Sequence, residues 1–212
     1  MLDLLLDGDP HSATELAQQA GVSPATASSH LSALVAGGLV AADRAGRQRV
    51  FRLAGPRVAA ALEALSTIAP HRPVSSLREA ASEQRIRFAR TCYDHLAGRL
   101  GVTVTEAMVE RRLLHIVGGR FEVTAKGDRW LRGLGIDLEA ARARRRAFVL
   151  PCLDWSERRP HVAGALGAAL CHQLFELGWI RRTAGRAVLL TRQGSVGLRS
   201  ELGVEVPSRL GR

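Results

Sequence analysis

Residues 12–35 read SATELAQQAGVSPATASSHLSALV, and this pattern predicts two short helices joined by a tight turn. Ser12 or Thr14 suits the first N-cap, where a short side-chain oxygen accepts from an otherwise orphaned N–H of the first turn. Glu15 falls in that turn, and Gly21 suits the left-handed residue that stops a helix. Ser23-Pro24 then restarts the helix, with proline at the first helical position, where its missing N–H costs nothing. Ala27, Leu31, Leu34 and Val35 share one apolar face of the second helix. The opposite face, with Ala25, Thr26, Ser28, Ser29 and His30, is small and polar. This arrangement is a helix-turn-helix, and its second helix is slim enough to enter a DNA major groove about 12 Å wide. Ser23, Ala25, Thr26, Ser28, Ser29 and His30 are therefore the candidate DNA-facing residues of this helix.

The second helix should end at Gly37-Gly38. LVAADRAG and RQRVFRLAG then alternate as two strands around a turn at Ala45-Gly46. Arg49 and Phe51 fall on one side, Val50 and Arg52 on the other. A hairpin placed here is a wing, and Arg44, Arg47 and Arg49 suit phosphates or a narrow minor groove.

The whole chain sets bounds on this reading. With 212 residues, 46% hydrophobic and 24% charged, it can form one large domain or two small ones around a real core. The composition excludes collagen, low-complexity disorder and a disulfide scaffold. No apolar stretch approaches the roughly 18 residues that would predict a membrane span. MLDLLLDGDP lacks the basic start of a signal peptide, and three cysteines without an export signal point to free thiols in a cytoplasmic protein. The net charge of +10 points to a polyanionic partner. Yet residues 1–66 hold five arginines and six acids, a net charge of −1. What they do have is a focused patch, Arg44, Arg47, Arg49 and Arg52, with no acid between them.

TELAQQAGVSPATASSHLSALVAGGLV followed by GRQRVFRLAG resembles the ArsR-type winged-helix repressors, over about 60 of the 212 residues. The resemblance implies a homodimer whose two recognition helices read a palindromic operator in double-stranded DNA, and a signal that modulates it. Two departures bear on that signal. Metal-sensing members often carry a cysteine pair at the start of the first helix; here the place holds His11-Ser12-Ala13-Thr14. Others carry an Asp/His/Glu set on the helix after the wing; here GPRVAAALEALSTIAPHR offers one Glu and a distal His71. Sensing is then expected elsewhere in the chain. Met1 falls late in what would be the first helix, so part of the usual dimer helix would be missing.

APHRPVSSL (69–77), with two prolines, reads as a boundary, followed by a helix from about Leu77 to Leu100. The remainder contains an internal repeat. HLAGRLG (95–101) returns as HVAGALG (161–167), each opening a helix with a Glu near its end, Glu110 or Glu176. A hairpin follows, then T-x-x-G (Thr124–Gly127 and Thr191–Gly194) before a last helix. The offset is 66 residues at the start and 67 at the end, which is a duplicated unit rather than a solenoid. The copies resemble the winged core but lack an evident recognition helix, which favours a regulatory role. The expected fold is mostly α with small β-hairpins: a winged helix-turn-helix domain plus a C-terminal domain of two winged-helix-like repeats. The expected limits are 1–68 for the DNA-binding domain, 69–94 for a linker and long helix, 95–137 for repeat one, 138–160 for a connection, and 161–212 for repeat two. Arg142, Arg144, Arg145 and Arg146 in that connection read as a solvated helix face or an auxiliary phosphate contact.

Near the start of each copy lie cysteine, aspartate and histidine: Cys92, Asp94 and His95, then Cys152, Asp154 and His161. Cys92 and His95, three apart, would share a face on a helix. Thiolate, carboxylate and imidazole suit zinc or a similar divalent metal, which needs about four donors. Two other readings stand beside it: purely structural roles, with Asp94 on an arginine and Asp154 capping, or a thiol switch between Cys92 and Cys152. Cys171 reads as core filling, and Trp130, Trp155 and Trp179 as core or interface. No nucleophile elbow, phosphate loop, zincin or dinucleotide motif is present, so no enzyme is expected. The sequence points to a DNA-binding transcriptional regulator, a repressor modulated by a small-molecule, metal or redox effector. The alternative is a sensor or adaptor that uses winged helices for protein contacts.

Overall fold

Helix α1 (Ala13–Ala20) starts at Ser12, whose side chain accepts from the Glu15 N–H while Glu15 reaches back to the Ser12 N–H at 2.7 Å. That reciprocal capping box satisfies two orphan donors. Gly21, in the left-handed region, closes the helix. Helix α2 (Pro24–Ala36) starts at Ser23, which accepts from the Thr26 N–H. The computed structural model describes residues 1–69, 76–183 and 185–205. The expected boundary at 69–77, with its prolines and His71, lies largely outside the described residues.

Strands β1 (His11–Ser12), β2 (Val40–Ala45) and β3 (Gln48–Leu53) form one antiparallel sheet in the order β1-β3-β2. Ala45 pairs with Gln48, so the hairpin turn is Gly46-Arg47, one residue later than expected, and Arg47 stands in the turn itself. Helix α3 (Pro56–Ile68) follows. Leu5, Leu6, Leu16, Leu31, Phe51 and Leu53 close a first apolar core between these elements and a short 3-10 turn at Leu4–Asp7.

The expected helix from Leu77 to Leu100 is not one element. Helix α4 (Leu77–Phe88) stops at Ala89, and the chain turns into strands β4 (Arg90–Cys92) and β5 (His95–Ala97) before helix α5 (Gly98–Glu110). The reason is tertiary: Ala89 accepts from the Val188 N–H, and the Thr91 N–H donates to Arg186, so segment 89–91 is drawn out of helix by a distant strand. Helical spacing gives way to such pairing because propensity is only a weak prior. Strands β6 (Leu114–Val117) and β7 (Arg120–Val123) and helix α6 (Ala125–Gly133) follow. Helix α7 (Leu138–Arg142) then links to strands β8 (Leu150–Leu153) and β9 (Pro160–Ala163). Helix α8 (Gly164–Glu176), strands β10 (Ile180–Arg182) and β11 (Val188–Leu190), and helix α9 (Arg192–Leu202) complete the described chain. The whole is a mixture of helices and small antiparallel strand pairs, with the helix-turn-helix at the N-terminal end.

The matched sequence motifs mark the same backbone demands. Gly98 and Gly164 both adopt positive φ, +77° and +82°, at the step from strand pair to helix. Gly127 and Gly194 open α6 and α9 against the preceding strand pairs: a Cβ would sit 2.0 Å from the Leu113 carbonyl oxygen at one and 2.0 Å from the Trp179 carbonyl oxygen at the other. Thr124 and Thr191 accept from the N–H of those glycines and donate to Arg112 and Gly178. Helix α5 packs on β9 and α8 on β5, so the two segments interlock around a second, larger core. Gly127→Ala should therefore cost about 1–3 kcal/mol in denaturant unfolding, because backbone must move to admit the methyl. Gly133→Ala, with nothing within 4 Å of its Cβ, is the control and should leave the midpoint unchanged or raise it.

Candidate functional site

Two surfaces carry the residues singled out by the sequence. On α2, Ser23, Ala25, Thr26, Ser28, Ser29 and His30 are exposed, while Ala27 and Leu31 anchor the helix in the core. Arg44, Arg47 and Arg49 are exposed on the β2–β3 hairpin. Arg52 is not part of that free charge: its Nε donates to Asp43 at 2.7 Å. Arg44 and Arg49 are directly opposed across the hairpin, a like-charge pairing that weakens the sheet unless an anion offsets it.

The second surface lies where the two interlocked segments meet. In β4–β5, Cys92 is the register partner of His95; in β8–β9, Cys152 is the register partner of His161. Each short hairpin thus presents one thiol beside one imidazole. Cys92 and His95 share a face through cross-strand pairing, not through a helical turn as expected. Their four donor atoms lie within 4.8 Å of one another, and Cys92, His95 and His161 are buried. His95 Nε2 and His161 Nε2 stand 3.1 Å apart. This Cys/His cluster could bind a metal.

Asp94 and Asp154 do not join the four donors. They stand behind the histidines, Asp94 at 3.4 Å from His95 Nδ1 and Asp154 at 3.5 Å from His161 Nδ1. Each is held in turn by an arginine. Arg146 donates to Asp94 at 2.6 Å and to the Gly164 carbonyl, so this member of the arginine run is structural rather than solvated. Arg90, fully buried, donates to Asp154 at 3.0 Å, and Gly98 N–H donates to the same carboxylate at 2.7 Å. Burial works against both carboxylates, but Arg90, Ser156 and Gly98 outweigh it at Asp154 and bring it to about 2. His95 and Arg146 likewise hold Asp94 below its ordinary range.

Burial opposes protonation of His95, yet Asp94 and Cys152 push it up to about 9. The hydrogen bond from Cys92, with both imidazoles beside it, pulls the Cys152 thiol well below its usual range, while the same bond and burial push Cys92 up. Cys171, in mid-helix, is pushed up to about 12 by burial, as suits an inert core thiol.

Residues that the sequence did not single out connect this cluster to the helix-turn-helix. Glu63 of α3 is 1% exposed and accepts from Arg186 at 2.8 Å, with Arg90 3.6 Å away. Tyr93, at the tip of β4–β5 with φ +62°, donates its N–H to the Leu6 carbonyl at 2.7 Å and packs on the first core. A cavity of about 840 Å³ opens between α3 and both hairpins, lined by Arg57, Glu63, Tyr93, His95, Arg146 and Cys152 among others. No local pattern announces Glu63 or Arg90; a lone acid inside the apolar run of α3 was the one available sign.

Residues 1–41 match the family described as a helix-turn-helix domain. An uncharacterized HTH-type transcriptional regulator of Bacillus subtilis (strain 168), YdfF, is 44% identical over 203 residues, covering 95% of this chain and 90% of its own. The chain belongs to the HTH-type transcriptional regulators. No solved structure matches it. Identity at that level over nearly the whole length means that the regulator shares with its relative the C-terminal segments as well as the helix-turn-helix. It is a DNA-binding transcriptional regulator, and among its described residues no helix is long and apolar enough to cross a membrane.

Proposed function

We propose that this regulator is a cytoplasmic homodimeric repressor of the ArsR-like kind that binds a palindromic operator and responds to a signal received in its C-terminal half. The observation that carries the reading is the exposed polar face of α2 beside a hairpin whose opposed Arg44 and Arg49 have no acidic partner among the described residues, unlike Arg52. Helix α2 would enter the major groove, with Thr26, Ser28, Ser29 and His30 on base edges and Ser23 and Ala25 along the backbone. The β2–β3 hairpin is then the wing, and Arg44, Arg47 and Arg49 contact phosphates or the adjacent minor groove. We read residues 1–68 as the DNA-binding domain, and the two later segments, 95–137 and 161–212 with their preceding strands, as copies of one winged-helix-like unit that serves sensing. The cavity against α3 and the Cys/His cluster at its edge support that assignment. An effector settling there, whether a small molecule, a metal or an oxidant, would set the position of α3 and hence the spacing of the two recognition helices.

Selection of genomic fragments by the purified full-length protein tests the reading. Enrichment of one inverted-repeat sequence is expected. Replacement of Ser28 or Ser29 by alanine should relax preference at single operator positions by about 1–3 kcal/mol each. Binding that shows no sequence preference would sink the proposal. Retained specificity in a variant with alanine at Thr26, Ser28, Ser29 and His30 would remove α2 as the reading helix.

A further inference from the structure

We propose that Cys92, His95, Cys152 and His161 together hold one four-coordinate metal ion of the zinc class, which clasps the β4–β5 and β8–β9 hairpins across the junction of the two segments. This goes beyond the operator reading and does not rest on it.

Four lines of geometry carry the proposal. First, the donor set is complete and soft enough: two thiolates and two imidazoles are the usual complement of a closed tetrahedral zinc site. Second, the spacing fits. Two imidazole nitrogens at zinc–nitrogen distances of about 2.0–2.1 Å in a tetrahedron lie about 3.3 Å apart. The two Nε2 atoms here are 3.1 Å apart, and all four donor atoms fit within 4.8 Å.

Third, the imidazoles are oriented from behind. Asp94 lies 3.4 Å from His95 Nδ1 and Asp154 3.5 Å from His161 Nδ1, so a carboxylate stands behind each ring and both Nε2 atoms face the same gap. Carboxylate–histidine pairs of this kind orient metal-binding imidazoles and raise their basicity. Two imidazole nitrogens at 3.1 Å need a proton or a metal ion between them, and the two thiols converging on the same gap suit the metal. Fourth, charges balance. Asp94 is matched by Arg146 and Asp154 by Arg90, so two thiolates and one divalent ion leave this buried junction neutral.

The hairpins also explain why the site comes in two halves. Each supplies a cysteine and a histidine from facing strand positions, and neither half alone has four donors. The ion would therefore add a coordinate link to a junction already held by packing and by the Arg90–Asp154, Gly98–Asp154 and Arg146–Asp94 contacts. Cysteine coordination needs both thiols reduced, so metal and a Cys92–Cys152 disulfide exclude each other.

The test uses full-length protein purified without an affinity tag under reducing conditions. Elemental analysis should find one equivalent of zinc per chain. Replacing it with cobalt should give the intense visible bands of tetrahedral cobalt and a near-ultraviolet thiolate-to-cobalt charge-transfer band. Wild-type spectra need no variant, so a misfolded mutant cannot decide the matter. Cys152→Ser and His161→Gln should lose the metal or its tetrahedral signature, Cys171→Ser should keep both, and Asp154→Asn should bind roughly tenfold to hundredfold more weakly. Adding zinc to stripped wild type should raise its melting temperature. The proposal falls if stripped protein gains no stability with zinc, or if cobalt binds octahedrally without a sulfur band. It falls equally if Cys152→Ser retains a full equivalent with the wild-type spectrum.

Discussion

Alanine at both Arg47 and Arg49 should lower operator affinity by roughly tenfold per arginine, since a charge-assisted hydrogen bond to phosphate is worth about 1.5 kcal/mol. The loss should be nearly the same on operator and on unrelated DNA, because phosphates carry no sequence information. The slope of log affinity against log salt should fall by about 2, close to 0.9 for each phosphate no longer neutralised. Folding should not suffer. Both side chains are exposed, and removing Arg49 relieves its repulsion with Arg44 across the hairpin. Gel-shift or anisotropy titrations over a range of salt concentrations measure both quantities. An unchanged slope in the double variant would mean that the hairpin does not touch DNA. Arg52→Ala is the internal comparison: Arg52 already pairs with Asp43, so its loss should change the slope much less.

Arg90→Met should destabilise the protein by about 3–5 kcal/mol, a large share of the roughly 5–15 kcal/mol that holds a typical domain together. Arg90 is wholly buried, faces Asp154 at 3.0 Å and Glu63 at 3.6 Å, and lies over the Trp155 ring at 4.7 Å. Methionine fills much of the same space but leaves a buried carboxylate without its cation. The cost comes mainly from that abandoned charge, not from a lost attraction, because the pair was desolvated to begin with. Arg90→Met combined with Asp154→Asn should therefore recover part of the loss. Urea unfolding followed by circular dichroism measures the cycle. Full additivity of the two changes would show that Arg90 and Asp154 are not coupled, against the geometry described.

Local chemistry made the helix-turn-helix legible. Ser12, Glu15, Gly21, Ser23 and Pro24 act within a turn of where they stand, and the apolar face of α2 needs only its own periodicity. The hairpin at Arg90–Ala97 was not legible in this way. Ile86, Ala89, Arg90, Tyr93 and Leu96 fall near one face at helical spacing, whereas the hydrogen bonds that pull the chain straight come from Arg186 and Val188, nearly a hundred residues onward. The same long reach hid the charge chain from Asp154 through Arg90 to Glu63. The cluster itself was half legible. Recurrence of cysteine, aspartate and histidine marked residues that the fold brings together, but only the strand register separates the two cysteines and two histidines from the aspartates behind them. In the arginine run 142–146, Arg142, Arg144 and Arg145 are exposed, whereas Arg146 departs from the solvated reading for a related reason: it is bound to Asp94, fifty-two positions away in sequence.

The Tyr93 tip has a consequence for how such regulators can be recombined. Its backbone is tied to Leu6, its ring rests on the N-terminal core, and Gly8 lies so close that a methyl there would be 2.2 Å from the Tyr93 carbonyl oxygen. The helix-turn-helix segment and the C-terminal segments are thus keyed to each other, not strung together as interchangeable cassettes. A chimera that imports a foreign helix-turn-helix at residue 68 would inherit an unmatched socket at positions 5–8 and an unmatched partner for Glu63. Exchange of operator preference between relatives should succeed by swapping the exposed face of α2 alone, with its underside and the Leu4–Asp7 turn kept.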